Sequence, residues 1–213
     1  MKRNLLTVRF FRKNLRLLKN IIIERIQGLD FSCFEESASS TLDTESFYPY
    51  ECTPSQLLHK VFDRLHLRAD DKLLDVGCGK GYAIYFLRRH YPFACVDGVE
   101  ISSRLVDIAK ANMRRLKIRA NIFLSDAAHF TELDEYNYFY LSNPFPENAM
   151  SKFIKNLMHS YLRNSREITL IYTNPTCHQL LVPYAKQLRA YEDKIDRFRC
   201  QVFIYNLNFD HGN

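Results

Sequence analysis

The sequence predicts an α/β fold in which a mostly parallel sheet carries helices on both faces. From residue 72 onward, short apolar runs alternate with segments of helical periodicity, which is typical of strand–helix–strand units. A glycine-rich turn directly follows the first of these runs. The last two runs follow each other without a helix between them, so we expect them to form an antiparallel hairpin at one edge of the sheet.

The chain is long enough for one main domain with a sizeable core. It has 213 residues, of which 46% are hydrophobic and 25% are charged. This composition excludes the disordered and fibrous classes of protein. We predict an N-terminal arm over residues 1–50, made of a basic amphipathic helix and an irregular segment, and a folded domain over residues 51–213.

The N-terminal arm carries the chain's excess positive charge. Residues 1–23 contain seven Lys or Arg and no acid, whereas the rest of the chain has 23 basic against 24 acidic residues. Because the rest is nearly neutral, the charge pattern argues against a nucleic-acid partner. Apolar residues recur in the arm at steps of three and four, as in an amphipathic helix. They are Val8, Phe11, Leu15, Leu18, Ile22, Ile26 and Leu29.

The apolar face of this helix allows three interpretations. It can pack on the domain or on a second subunit, it can lie on an anionic membrane surface, or it can belong to a mitochondrial-type transit segment. The first two interpretations predict a homodimer contact or a peripheral membrane contact through residues 5–29. Gly28 suits the end of the helix.

Cysteine usage and hydropathy bear on metal binding and location. The six cysteines are scattered singly, without a CxxC pair or a Cys/His cluster at zinc-ligand spacing, so we expect no metal site. Several fall in predicted strands or loops, where free thiols act as small hydrophobic residues, which favours a reducing, cytoplasmic compartment. No apolar run reaches the ~18–20 residues that span a bilayer.

The order of elements follows from periodicity and turn signals. Residues 30–52 are polar and rich in turn formers, which predicts an irregular connection. A helix is predicted over about 54–67, with Thr53, Pro54 and Gln56 at the N-cap, N1 and N3 positions of a capping box. The predicted strands cover 72–76, 94–99, 121–124, 137–142, 167–173, about 189–197 and 200–207. The predicted helices between them lie near 80–90, 102–116, 146–162 and 176–188.

Residues 72–82 (KLLDVGCGKGY) combine a strand, a glycine-rich turn and a helix start. Gly77, Gly79 and Gly81 let the backbone turn tightly and approach a ligand closely, while the new helix directs free N–H groups towards that ligand. The GxGxG spacing differs from the GxGxxG of NAD enzymes, which argues against an oxidoreductase.

Two acids follow the next two predicted strands. Glu100 ends the second strand, 19 residues after Gly81, where a carboxylate can accept both ribose hydroxyls of a nucleoside. The alternative is a solvated acid that caps the next helix, a role that Ser102 can share. Asp126 follows the third strand, where it can accept a hydrogen bond from an exocyclic adenine amine. The glycine loop and the two acids together predict a nucleoside site.

These residues resemble the class I methyltransferases that use S-adenosylmethionine (SAM), which have a seven-stranded Rossmann-like sheet. The resemblance covers about residues 48–207. It implies that the glycine stretch holds the methionine moiety, Glu100 the ribose and Asp126 the adenine, and that the final hairpin contains the family's reversed last strand. Lys80 departs from the pattern, since small or hydroxyl residues are more frequent there. The implied cofactor-binding residues are Asp75, Gly77, Cys78, Gly79, Gly81, Glu100, Ile101, Asp126, Ala127 and Asn143.

Residues 143–145 (NPF) follow the fourth predicted strand, where the family positions the methyl acceptor. They are similar to the NPP(Y/F) motif of amino-group methyltransferases, but with one proline instead of two. The resemblance implies that Asn143, Pro144 and Phe145 are catalytic residues that hold a planar nitrogen and stack on it. The alternative is a helix start with Asn143 as N-cap and Pro144 at N1.

The sequence therefore predicts a SAM-dependent methyltransferase that yields S-adenosylhomocysteine (SAH) as product. The expected acceptor is a nitrogen or oxygen atom on a small molecule or a protein side chain. Positioning can supply most of the rate, and a base is needed only for a protonated acceptor; Tyr48, Glu51 and His129 are candidates. Residues 48–53 form either a lid or a simple lead-in to the helix. The alternative function is a catalytically silent SAM- or nucleotide-binding module anchored through the basic helix.

Overall fold

Seven strands form one sheet with helices on both faces. The computed structural model describes residues 24, 26–31, 52–142, 146–195 and 198–209. The strands are β1 (Lys72–Val76), β2 (Cys95–Glu100), β3 (Ile122–Leu124), β4 (Tyr138–Ser142), β5 (Ile168–Thr173), β6 (Ala185–Ile195) and β7 (Phe198–Leu207). The helices are α1 (Ser55–Phe62), α2 (Tyr82–His90), α3 (Ser103–Leu116), α4 (Glu147–Arg163) and α5 (His178–Leu181), and a 3₁₀ turn (Val182–Tyr184) follows α5.

The strand order is β3-β2-β1-β4-β5-β7-β6. Strands β1 to β5 run parallel to one another, and β7 is antiparallel to both β5 and β6. The predicted mostly parallel sheet with a C-terminal hairpin is therefore confirmed, with β7 lying inside the sheet and β6 at its edge. The order reverses between β1 and β4, which is where open α/β sheets form a ligand crevice at the carboxyl ends of their strands.

Two apolar layers pack on the sheet because alternate side chains of each strand point to opposite faces. In β1, Leu73 belongs to the layer formed with α1, α2 and α3, and Leu74 belongs to the layer formed with α4. Both side chains are fully buried. Burying one such side chain stabilises the fold by about 1.5–3 kcal/mol, so burial of both faces holds β1 in register with its neighbours.

Helix α1 is shorter than predicted and lacks the predicted capping box. It covers Ser55–Phe62 instead of 54–67, and its N-cap residue is the extended Pro54, without a side-chain cap. The Thr53 hydroxyl, predicted to cap the helix, instead donates to Ser142 Oγ at 3.3 Å. After Phe62 the chain leaves the helix through a tighter turn, and Leu65 packs against the core.

The predicted helix over 176–188 is wrong beyond residue 184. Proline at 183 lacks the N–H that a continuing helix needs, and only the short α5 and the 3₁₀ turn form. Ala185 already pairs with Leu207 of β7, so β6 begins at Ala185 instead of about 189. The other predicted strands and helices from residue 72 onward agree with the structure to within two residues.

In the described part of the arm, a helix ends at Gly28, as the sequence predicts. Gly28 has a φ of 69°, and the Leu29 N–H donates to Glu24 O at 2.7 Å, which is the hydrogen bond of a Schellman motif. Leu29 is buried, whereas Ile26 is 80% exposed. Most of residues 5–29 lie outside the described residues, so the membrane or subunit contact stays a prediction.

Within residues 24, 26–31, 52–142, 146–195 and 198–209, no helix combines the length and apolar character needed to cross a bilayer. The five described cysteines carry free thiols, as expected. Cys33 lies outside the described residues.

Candidate active site

The glycine loop lies at the carboxyl end of β1, beside the point where the strand order reverses. The N–H groups of Gly77 and Cys78 donate to Val99 O of β2 at 2.8 and 3.1 Å, which ties the loop to the neighbouring strand. Gly77, Gly79 and Gly81 have φ values of 80°, 53° and 81°. Only glycine adopts this left-handed backbone at little cost, so these three positions require glycine.

Helix α2 starts directly after the loop and leaves donors for a ligand. Its N-cap residue is Gly81, which has no side chain to cap the first turn. The free N–H groups of a helix start attract polar and negatively charged ligand groups. Gly77 is exposed, whereas Gly79 and Gly81 are buried, so the loop faces open space at its first glycine.

Glu100 is fixed by backbone donors on two sides. Its Oε2 accepts the Gly79 N–H at 3.0 Å, and its Oε1 accepts the N–H groups of Ile101 and Ser102 at 2.9 and 3.0 Å. The side chain is 8% exposed, which does not fit a solvated helix cap, and Ser102 caps α3 through Leu105 N–H at 3.4 Å. A carboxylate has about four acceptor positions, so Glu100 keeps capacity for a ligand hydroxyl.

Asp75 is the single acid of β1 and lies 3% exposed, two residues before the first glycine of the loop. Burial, together with the nearby negative charge of Glu100, raises the pKa of Asp75 from 3.8 to about 8. Burial also raises the pKa of the Cys78 thiol well above its usual range. Cys78 is therefore a packed, unreactive thiol, whereas Asp75 can change its charge near neutral pH.

Asp126 follows β3 on the same edge and remains partly open. Its side chain is 38% exposed; Oδ1 accepts the Ala128 N–H at 2.8 Å, and Oδ2 lies 3.0 Å from His129 Nδ1. The Ser125 N–H donates to Glu100 O at 3.0 Å, so the ends of β2 and β3 are linked. The structure thus brings together Asp75, Glu100, Asp126 and the glycine loop.

A cluster of hydroxyl groups links the carboxyl ends of β4 and β5 to the segment before α1. Tyr140 Oη donates to Thr53 Oγ1 at 3.0 Å and lies 3.4 Å from Thr173 Oγ1. Thr53 Oγ1 lies 3.3 Å from Ser142 Oγ. Burial raises the pKa of Tyr140 to about 12, so this phenol stays protonated and does not act as a base at neutral pH.

The predicted catalytic residues Asn143, Pro144 and Phe145 lie outside the described residues, as do the candidate bases Tyr48 and Glu51. The described chain resumes with Pro146, and α4 begins at Glu147. The alternative in which Pro144 occupies N1 of this helix is therefore wrong, because the helix starts three residues later. The third candidate base, His129, is 70% exposed beside Asp126.

Sequence reasoning missed several residues that shape the site. A Cβ atom at Gly98 would lie 2.6 Å from Cys78 Sγ, so β2 approaches the loop more closely than a side chain permits. A glycine inside a strand is the signal that could have indicated this contact. Lys80 is 1% exposed, and its Nζ lies 2.9 Å from Asp30 Oδ1. Asn112 of α3 bonds to both residues.

Fold and site together define an α/β nucleoside-binding protein of the Rossmann-like type. Residues 53–178 match the family model described as "Methyltransferase small domain". Since the match covers more than half of the chain, this protein belongs to that methyltransferase family. The membership confirms the resemblance seen in the sequence, and with it SAM as the cofactor.

Individual relatives agree with this family. Methyltransferase GfsG of Streptomyces halstedii is 30% identical over 95 residues, which are 44% of this chain and 34% of that protein. This chain thus matches about a third of the relative's length. The N-methyltransferase NodS of Bradyrhizobium japonicum, solved with SAH, has a TM-score of 0.53 at 12% identity over 72% of this chain and 84% of NodS. The methyltransferase domain of bacterial CtHen1-C has a TM-score of 0.55 at 17% identity over 72% and 96% of the two chains.

Proposed function

We propose that this protein transfers the methyl group of SAM to a nitrogen or oxygen acceptor on a small molecule or a protein side chain. The observation that carries the proposal is that the glycine loop, Glu100 and Asp126 lie together at the carboxyl ends of the adjacent strands β1, β2 and β3, next to the reversal point of the sheet. One loop supplies backbone hydrogen-bond donors, and two loops supply acceptors. A nucleoside with a charged amino-acid tail requires this combination of donors and acceptors.

The residues present fit this cofactor. Glu100 is already oriented by three N–H groups and can accept from ribose hydroxyls, and the partly exposed Asp126 can accept from an adenine amine. Asp75 places a titratable acid two residues before the first glycine of the loop. When bound, SAM supplies an activated methyl group whose carbon–sulfur bond breaks as the acceptor's lone pair attacks.

The chain's own contribution to transfer is to position the acceptor and exclude water. The hydroxyl cluster of Thr53, Tyr140, Ser142 and Thr173 fixes the ends of β4 and β5 next to residues 143–145. Holding two reactants in line supplies much of the rate of a displacement reaction, so little acid–base machinery is required. We propose Asn143 as the residue that holds the acceptor.

Calorimetry with SAM and SAH tests the cofactor, and labelled SAM tests the transfer. A cell extract is split into protein, nucleic-acid and small-molecule fractions. We expect both ligands to bind and label to enter the protein or the small-molecule fraction, whereas label in nucleic acid alone would contradict the proposed acceptor. Label in the protein or small-molecule fraction supports the proposal. Absence of binding at millimolar ligand would contradict it, and binding without transfer to any fraction would instead indicate a silent binding module.

Substitution of Asn143 tests the acceptor site. For Asn143→Ala we expect transfer to slow while SAM affinity is largely retained, because the side chain is assigned to the acceptor. The matched control is Asn148→Ala, since Asn148 is exposed on the first turn of α4. A large loss of SAM affinity in Asn143→Ala would assign this residue to the cofactor instead.

A further inference from the structure

We infer that Lys80 and Asp30 are positioning residues that couple cofactor binding to the docking of residues 26–31, here called the docked segment. The inference rests on the proposed function only in that the glycine loop binds SAM. Lys80 lies inside this loop, between Gly79 and Gly81, and its ammonium group forms a 2.9 Å ion pair with Asp30 Oδ1. The Lys80 side chain is 1% exposed, whereas that of Asp30 is 48% exposed.

Asn112 of α3 binds the docked segment and the loop at the same time. Its Oδ1 accepts the Asp30 N–H at 3.0 Å, and its Nδ2 donates to Asp30 O at 2.9 Å and to Lys80 O at 3.0 Å. Asn112 is 2% exposed, so these hydrogen bonds form away from water, where losing one is costly. Both peptide groups of Asp30 and the main chain of Lys80 therefore depend on one side chain.

The docked segment also covers the first turn of α2, which starts from the glycine loop. Phe31 stacks on Tyr85 with ring centroids 5.5 Å apart and meets Tyr82 edge-on at 5.4 Å. Gly28 approaches α3 so closely that a Cβ atom there would overlap the Arg115 guanidinium. The segment thus contacts the three elements around the cofactor loop: the loop itself, α2 and α3.

These contacts restrain a backbone that is costly to order. The loop contains left-handed glycines, which have the greatest conformational freedom to lose. Glu100 holds Gly79 from the sheet side, while Asp30 and Asn112 hold Lys80 from the opposite side. A buried ammonium is stabilised by nearby carboxylates, so removing the Asp30 charge weakens the hold on Lys80 and loosens the loop around it. Ligand binding to the ordered loop must, by the same linkage, favour the docked segment.

Substitutions of the pair test the coupling through SAH affinity. Asp30→Asn keeps the shape of a half-exposed side chain and removes its charge; we expect SAH binding to weaken about tenfold, within the usual range of coupling between sites. Lys80→Met should weaken SAH binding as well. The double variant should have an SAH affinity no lower than that of the single variant with the lower affinity, because the two residues act as a unit. Affinity is measured by calorimetry at a temperature where circular dichroism shows each variant folded.

The matched control is the ion pair of Lys72 Nζ with Glu135 Oε2 at 2.7 Å, at the opposite end of β1. Both side chains are partly exposed, so Lys72→Met and Glu135→Gln should change SAH affinity by less than about twofold. Wild-type protein that binds no SAH would refute the proposed function. If the wild type binds SAH and Asp30→Asn binds it with the same affinity, only the coupling is refuted. A lowered melting temperature of that variant would then show that the ion pair has a structural role alone.

Hydrogen exchange gives a second measurement. An ion pair with a purely structural role would not change how SAH affects the exchange of the docked segment's amides. In the wild type, SAH should slow exchange of the Asp30 and Phe31 amides, which donate to Asn112 Oδ1 and Glu24 Oε2. In Asp30→Asn this slowing should be lost or much reduced. Equal exchange at both amides with and without SAH in the wild type would overturn the inference.

Discussion

Glu100 is a single side chain that holds the fold together at the predicted cofactor site. Its carboxylate joins the glycine loop to the end of β2 through three backbone N–H groups. A charged hydrogen bond contributes about 1.5–3 kcal/mol, so the loop geometry depends on this acid even before a ribose competes for its free acceptor positions. The sequence predicts Glu100 at the end of the second strand, where β2 ends, and its contact with the ribose stays a prediction.

We expect Glu100→Ala to weaken SAM binding by about 1–3 kcal/mol, through lost hydrogen bonds to the ribose and a less ordered loop. Calorimetry measures the affinity, and thermal unfolding measures the structural part of the effect. The control is Glu135→Ala, which removes an exposed acid at the other end of β1. Unchanged affinity would mean that Glu100 only stabilises the loop.

Asp75 should make stability depend on pH in an unusual direction. Its folded-state pKa of about 8 lies above the ordinary value of 3.8, so the folded protein binds the proton more tightly than the unfolded chain. The contribution of Asp75 to stability is therefore largest where it is protonated in both states, falls as pH rises from about 4 to 8, and is constant above about 8.

The comparison with Asp75→Asn isolates this effect. Measured without ligand by urea unfolding, the variant should gain stability relative to the wild type as pH rises from 5 to 8, because the amide never ionises. All other side chains are the same in both proteins, so the difference reports position 75. Parallel stability curves over this pH range would show that Asp75 does not take up a proton on folding.

At the level of elements, the strands could be predicted and the contacts between distant segments could not. Strands β1 to β5 match because each is an apolar run between turn signals, a pattern that is local in sequence. The start of β6 was misplaced, since residues 185–188 are compatible with a helix until β7 pairs with them. Asn112 lies 82 residues from Asp30, and nothing near either residue in sequence indicates their hydrogen bonds.

Thr53, in the segment before α1, also makes contacts that its local sequence does not indicate. Thr53 fits a capping box locally, yet its hydroxyl bonds to Tyr140 and Ser142 across the sheet. Thr53→Val keeps the shape and leaves the buried Tyr140 hydroxyl with a weaker partner, so we expect a loss of about 1–3 kcal/mol in the free energy of unfolding. Transfer should slow while SAM affinity is kept.

Urea unfolding and methyl-transfer rates measure the two effects of Thr53→Val. Thr131→Val is the control, because the residue is exposed and the exchange of hydroxyl for methyl is the same. Full stability with a normal rate would show that the hydroxyl cluster does not support the acceptor site. A loss of SAM affinity would place Thr53 on the cofactor side.

For the whole molecule, positive charge gathers on one side. Arg114, Arg115, Lys117 and Arg119 are exposed at the end of α3, and Arg115 meets Gly28 of the docked segment. The docked segment therefore lies against a basic part of the described surface. Ile26, 80% exposed, adds an apolar side chain beside it. A peripheral membrane contact and a homodimer contact therefore both stay proposals for the N-terminal arm.

The docked segment also bears on where the folded domain begins, which the sequence predicted at residue 51. Leu29 and Phe31 are buried in the layer that contains α1, α2 and α3. Truncating one large apolar core side chain costs about 2–5 kcal/mol. A chain beginning at residue 32 loses both side chains and the hydrogen bonds to Asn112, so we expect a loss of at least about 4 kcal/mol in the free energy of unfolding.

A chain beginning at residue 20 is the matched control for that truncation, since it lacks all seven basic residues but keeps the docked segment. It should unfold at nearly the urea concentration of the full chain and bind SAH normally, whereas the chain beginning at residue 32 should unfold earlier and bind SAH weakly. If the two truncated chains unfold alike, the segment is dispensable and the domain begins after it. If the chain beginning at residue 20 is already unstable, the arm itself belongs to the folded unit.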